Sequence, residues 1–107
     1  MAAQITWAPQ NDGRPVTLHA PESAPFRYVF CALQSAVNGL VVQVHLGQDG
    51  SGPVVAVVPA GHWVGVPIAE AESVCALVPA TAPAPAASDL VIFAASTAHL
   101  PAGAGAM

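Results

Sequence analysis

Residues 39–46, with the sequence Gly-Leu-Val-Val-Gln-Val-His-Leu, alternate between apolar and polar side chains more cleanly than any other segment of the chain. Successive side chains of an extended strand point to opposite faces, so every second residue shares a face. The pattern therefore predicts a β-strand with one face in a core and the other against water or a partner. The predicted core face carries Leu40, Val42, Val44 and Leu46, and the predicted outer face carries Gln43 and His45.

The rest of the chain is divided into similar short segments by 11 prolines and 9 glycines, which leave no room for a long helix. The segments between them are rich in Val, Ile, Phe, Tyr and Trp, as in all-β proteins. We predict an all-β, two-sheet antiparallel sandwich of about eight strands, either jelly-roll or immunoglobulin-like. The predicted strands are Gln4–Trp7, Pro15–His19, Phe26–Gln34, Gly39–Leu46, Pro53–Val58, His62–Val66, Ser73–Val78 and Ser88–Ala95.

Three segments stand apart from this pattern. Phe26–Gln34 is apolar on both faces, which predicts a central strand or one covered on both sides. Residues 48–52, Gln-Asp-Gly-Ser-Gly, form a strong turn signal, and Asp49 within it is interpreted as a turn residue rather than a calcium ligand. Residues 79–87 are rich in Ala and Pro and predict an extended loop.

The length of 107 residues predicts a single domain, residues 1–107. The N-terminal segment 1–14 and the small-residue tail 98–107 have little of their own to pack against. We therefore expect both to act as assembly arms that contact neighbouring subunits.

Charged residues make up only 7% of the chain, with two arginines and no lysine, whereas hydrophobic residues make up 54%. With a formal net charge of −4 and no basic patch, neither nucleic-acid binding nor a polybasic membrane contact is expected. No apolar run reaches the ~20 residues of a spanning helix. A lone monomer ordinarily carries a charged surface, so this composition predicts a homo-oligomer, expected to be a ring, within a larger assembly.

The N-terminus lacks the positive and apolar regions of a signal peptide, which predicts assembly in a cytoplasm. Cys31 and Cys75 lie in apolar runs and are interpreted as buried, reduced thiols. An inter-sheet disulfide of immunoglobulin type is the alternative.

No motif for catalysis occurs in the sequence, and the four histidines are scattered singly. We predict a non-enzymatic protein with no catalytic, cofactor-binding or metal-binding residues. Glu70 and Glu72 are interpreted as a solvated loop rather than a glycosidase pair. Trp63 is predicted to cap the core, with an interface anchor as the alternative, and Trp7 is assigned equally to core or interface.

Four segments together form a recognisable pattern: Pro25–Phe30, Leu40–His45, Val58–Trp63 and Ala87–Ala95. In these segments the chain resembles the small β-sandwich virion proteins of tailed phages and gene transfer agents, such as capsid decoration proteins and head-spike bases. The resemblance covers roughly residues 15–96 and is one of style and spacing, with no functional residue to transfer. It implies a virion subunit that binds capsid protein, and a spike or fiber protein, and supports attachment to a host surface.

Two further functions stay open from the sequence. One is a small carbohydrate-binding or surface-recognition module, although the exposed aromatics and Asp/Asn ligands expected of a lectin are sparse. The other is a component of a phage tail rather than of the head.

Overall fold

A computed structural model of the protein describes residues 2–19, 26–71 and 73–96. This part of the chain contains eight β-strands and no helix. Short β-branched segments between prolines and glycines form strands because they fit a pleated surface and cannot continue into helices. The strands are β1 Ala2–Trp7, β2 Val16–His19, β3 Phe26–Gln34, β4 Val41–Leu46, β5 Val54–Pro59, β6 Trp63–Ala71, β7 Ser73–Leu77 and β8 Leu90–Ser96.

The strands form two antiparallel four-stranded sheets, which confirms the predicted sandwich. Sheet A has the order β1-β8-β3-β6, and sheet B has the order β2-β7-β4-β5. The pairs β1–β8, β2–β7, β3–β6 and β4–β5 are nested, as in one long hairpin that has been rolled up. Nested pairing of this kind is a jelly roll, whereas an immunoglobulin domain would pair its first two strands in one sheet.

The core lies between the sheets and is built from one side-chain face of each strand. In β3 the core face carries Val29, Cys31 and Leu33, each 1% exposed, and β3 is central in sheet A as predicted. In β4 the predicted core residues Val42 and Val44 are buried. The largest fully buried side chains are Phe93, Leu33, Leu40, Val29, Val42, Val44, Val58, Val74 and Val91.

The strand β6 is longer than the sequence predicts, because Pro67 does not end it. Pro67 pairs with Tyr28, and the pairing with β3 continues to Ala71 after a bulge. A proline lacks the N–H of a ladder, and β6 tolerates it because β6 is an edge strand of sheet A. The predicted loop position of Glu70 is therefore wrong, since this residue lies in β6. Glu72 lies outside the described residues.

His45 lies on the predicted outer side of β4, but its side chain is buried and only 7% exposed. It lies on the outer face of sheet B, as the alternation requires, but the connection after β4 folds back over it. Nδ1 of His45 lies 2.9 Å from the carbonyl oxygen of Gly52 and donates a hydrogen bond to it. Nε2 lies 3.3 Å from Oε1 of Gln43. A β-bulge between Val44 and His45 accompanies this departure from regular pairing.

Residues 47–53, which we call the strap, form this connection. The strap crosses the outer face of sheet B: the Thr17 hydroxyl donates to the Gln48 carbonyl at 2.8 Å, and Gly47 N–H donates to the Ser73 carbonyl at 3.0 Å. At the C-terminal end of the strap, the Pro53 carbonyl accepts a hydrogen bond from the Leu46 N–H at 3.1 Å. The predicted turn is therefore also a cover for β2, β4 and β7.

We expect Gly52→Ala to displace the strap and to destabilise the fold by about 3 kcal/mol or more. A Cβ at Gly52 would overlap the backbone carbonyl of Leu46, which cannot move without breaking the β4 ladder. Gly13→Ala is the matched control, since Gly13 has a positive φ of 72° but nothing within 4 Å of its Cβ position. Urea unfolding measures the loss of stability in both variants. Equal, small losses would show that the strap does not lie against β4.

The two cysteines are free and buried, as predicted, one inside the sandwich and one on its outer side. Cys31 lies in the core between the sheets. Cys75 lies between the core residues Val74 and Ala76, so its side chain points outward, beneath the strap near Gly50. The alternative of an inter-sheet disulfide is therefore wrong. Burial raises the pKa of the Cys31 thiol to about 12, and burial also raises the pKa of the Cys75 thiol.

The raised pKa of Cys31 predicts a loss of stability in alkali. Above pH 9.0, its ordinary value, the thiol ionises in the unfolded chain but stays protonated in the native protein up to about pH 12. The free energy of unfolding therefore falls through this window, by at most ~1.4 kcal/mol per pH unit from this thiol. Denaturant titrations at pH 8 to 11 measure the decline, and Cys31→Ala should make it shallower. A slope unchanged by this substitution would contradict the assignment.

Candidate assembly surfaces

The outer face of sheet A is apolar, although the outer face of a sandwich is usually polar. In β3 the core residues alternate with Tyr28, Phe30 and Ala32, which are partly exposed on the outer side. The register places partly exposed or exposed residues of β6 and β8 beside them. We call this surface the aromatic face; it consists of Tyr28, Phe30, Ala32, Trp63, Gly65, Pro67, Ile92 and Ala94.

The centre of the aromatic face is a pair of rings. The ring centroids of Phe30 and Trp63 lie 5.2 Å apart, with the planes inclined by 31°. Gly65 is the direct cross-strand partner of Phe30, so the missing side chain leaves room for both rings. The prediction that Trp63 caps the core is therefore wrong: it lies on the outer side of edge strand β6, and the core side belongs to Val64.

Trp7, in contrast, packs against the core from the end of β1. Its ring meets the ring of buried Phe93 edge to face, with centroids 6.3 Å apart and an angle of 82°. Residues 2–7 form an edge strand of sheet A, paired along β8. A role for segment 1–14 as an assembly arm stays a prediction, and the predicted arm 98–107 lies outside the described residues.

A second apolar surface lies on the outer face of sheet B, at the edge that the strap leaves open. Val54 and Val57 of β5 are each 49% exposed. Val41 and Pro59 are cross-strand partners beside them, partly exposed and exposed respectively. We call these four residues the valine strip. Edge strands are usually protected from pairing by charges, but β1, β2 and β5 contain none.

Among the side chains that the structure describes, charged ones occur only in the connections between strands. Arg27 lies in β3 and Glu70 in β6, but their side chains are outside the described part. Asp12 and Arg14 follow β1, Asp49 lies in the strap, and Asp89 precedes β8. The hydroxyl and the N–H of Ser51 donate to Asp49 and lower the pKa of this exposed carboxyl. The side chains described on the sheet faces are therefore hydrophobic or neutral polar.

One end of the sandwich is more polar than the sheet faces, and we call it the loop end. It carries the connections of residues 8–15, 35–40, 60–62 and 78–89. An open groove of about 310 Å³ is lined there by Trp7, Gln10, Asp12 and Arg14, among others. The Arg14 Nε lies 3.6 Å from Oδ2 of Asp12, and the Arg14 side chain is 87% exposed. A second groove of about 310 Å³ lies beside residues 35–41.

A buried carboxylate holds the loop end together. Asp89 is 5% exposed, and its Oδ2 accepts hydrogen bonds from the Ser35 hydroxyl at 2.7 Å and from the Ala86 N–H at 2.8 Å. The Ser35 hydroxyl in turn accepts one from the Val37 N–H at 3.0 Å. Asp89 therefore joins the connection before β8 to the connection after β3, and its role is structural.

The described residues bring no reactive cluster together. No group of three or more His, Cys, Asp or Glu that could hold a metal ion occurs among them. His45 is enclosed by the strap, whereas His62 is exposed at the loop end, where its Nδ1 lies 3.0 Å from the Ala60 carbonyl. The side chain of His19 and the whole of His99 lie outside the described part.

Comparison of the chain with family models, with curated proteins and with solved structures gives no match. No helix long and apolar enough to cross a membrane is found in the described ranges.

Proposed function

We propose that this protein is a non-enzymatic structural subunit of a phage-like particle, a capsid decoration or head-spike base protein. The observation that carries the proposal is the pair of exposed apolar surfaces, the aromatic face and the valine strip, on which no described side chain is charged. Surfaces of this kind are stabilised when another protein covers them.

The fold supports this proposal by analogy alone. Jelly rolls occur in viral capsid domains, but also in lectins and cupins, so the architecture does not select one function. The resemblance of the sequence to small virion proteins points in the same direction. In this role the subunit associates with copies of itself and with capsid protein, and supports a spike or fiber. A subunit of the phage tail would use the same aromatic face and valine strip.

A carbohydrate-binding module is the second candidate, and the groove at the loop end is the observation that favours it. The indole of Trp7 and the polar groups of Gln10, Asp12 and Arg14 line that groove. Stacking on an aromatic ring beside hydrogen-bonding side chains suits a sugar. In a spike base, such a groove would also serve contact with a host surface.

Electron microscopy of the purified protein, with a parallel glycan-binding screen, distinguishes these candidates. The structural role predicts closed particles of uniform size, formed without added ligand. Dispersed single subunits that bind a defined glycan, and lose it in Arg14→Ala, would support the module instead. Dispersed subunits without glycan binding would contradict both.

A further inference from the structure

We propose that a second copy of this chain docks on the aromatic face. This inference rests on the proposed function and names one contact that the assembly uses. Two sheet A outer faces would pack against each other, as the inner faces of a sandwich do.

The first support is the relief of the aromatic face, in which large and small side chains alternate across the strands in two neighbouring rows. Ile92, Ala32 and Trp63 form one cross-strand row, large-small-large. Ala94, Phe30 and Gly65 form the next row, small-large-small. Ala32 and Ala94 leave recessed positions between raised side chains, so an identical face can interdigitate with this one.

The second support is the distribution of polarity. No described side chain of the aromatic face is charged, so two identical faces meet without repulsion. Neutral polar residues lie at its margin: Gln4 and Thr6 on edge strand β1, and Gln34 at the end of β3, all exposed. An apolar, aromatic centre with a polar margin is the usual arrangement of a protein–protein interface.

The third support is the size of the face. Four strands spaced ~4.8 Å apart, and about seven residues rising ~3.3 Å each, give roughly 450 Å² of flat sheet per copy. Two copies then bury roughly 900 Å² before the relief of the side chains is added, which is close to the ~1,000 Å² that a specific interface needs.

A purely internal explanation accounts for only part of this surface. Packing of the Phe30 and Trp63 rings beside Gly65 shields the backbone where glycine leaves it bare, which stabilises edge strand β6. That explanation does not extend to Ile92 and Ala94, which lie on the outer side of the inner strand β8. In a monomer, polar residues at these two positions would be equally stable in water.

Docking of a face on its own copy is a two-fold contact, because each subunit contributes the same residues. Such a contact pairs subunits and does not by itself close a ring of more than two copies. Ala94→Glu tests it in the full-length protein, since this residue lies within the face and its side chain points outward. Thr81→Glu is the matched control, because it places the same charge at an exposed position of the loop end, outside the aromatic face and the valine strip.

We expect Ala94→Glu to halve the mass in solution, or reduce it to a single subunit, with the thermal unfolding midpoint of the domain retained at low concentration. Thr81→Glu should leave the mass in solution unchanged. A mixture of Ala94→Glu and Ala94→Lys subunits should restore the association that each lacks alone, because opposite charges then face each other. This rescue excludes simple misfolding as the cause.

Three results would overturn the proposal. If Ala94→Glu keeps the wild-type mass, copies associate elsewhere and only this contact is wrong. If the intact chain is a single subunit at about 100 µM, the proposed structural role is wrong and this contact falls with it. If removing residues 97–107 turns a single subunit into a pair, the chain's own tail occupies the face.

Discussion

Val42→Asp unfolds the protein or lowers its free energy of unfolding by more than about 4 kcal/mol. Val42 is 0% exposed in the core between the sheets. Its neighbours there are apolar side chains, which offer a carboxylate neither hydrogen bonds nor an opposite charge. Thermal or urea unfolding, followed by circular dichroism, measures the loss.

Val57→Asp is the matched control for this substitution. Val57 lies on the adjacent strand β5, opposite Gln43, and is 49% exposed on the outer face. The same change should cost less than about 1 kcal/mol in an isolated subunit, because the carboxylate stays in water. Equal losses at the two positions would show that the register of β4 and β5 is shifted by one residue.

The second large effect is expected at the loop end, where Asp89→Ala should cost about 2 to 4 kcal/mol. The substitution leaves the Ser35 hydroxyl and the Ala86 N–H without the acceptor that both use. Both groups are part-buried, so water replaces the lost bonds incompletely. Denaturant unfolding measures the loss, and hydrogen exchange should quicken in residues 35–40 and 78–89.

Asp12→Ala provides the comparison for Asp89→Ala. Asp12 pairs with Arg14 at the surface, and pairs of this kind contribute about 0 to 1 kcal/mol. If both substitutions had the same small effect, the carboxylate of Asp89 would not hold the two connections together.

Regular alternation allowed the core side of the fold to be predicted from the sequence. Just before and within β4, the expected core residues Leu40, Val42 and Val44 are buried, because a strand can bury only every second side chain in one core. In β3 both faces are apolar, so the alternation did not show which face lies inside. The order of the strands could not be predicted, since pairing between residues as distant as Ala2 and Ser96 leaves no local pattern.

The exposure of residues on the outer faces was predicted less well. A segment that covers an outer face from elsewhere in the chain leaves no periodic pattern in the sequence. His45 has the spacing of an exposed residue, yet the strap encloses it. Trp63 has the size of a core residue, yet strand parity places it outside. Asp89 carries no motif, and its partner Ser35 lies far away in sequence. Three glycines were the available signal for the strap: Gly47 and Gly50 have positive φ, and Gly52 lies against the backbone carbonyl of Leu46.

The central claim is that this protein works as part of an assembly, and its mass in solution tests that claim most directly. Sedimentation equilibrium of the full chain over a dilution series compares the mass with 10.7 kDa for one subunit. We predict a whole-number multiple of this mass that persists on dilution. A mass of one subunit at every concentration would contradict the account.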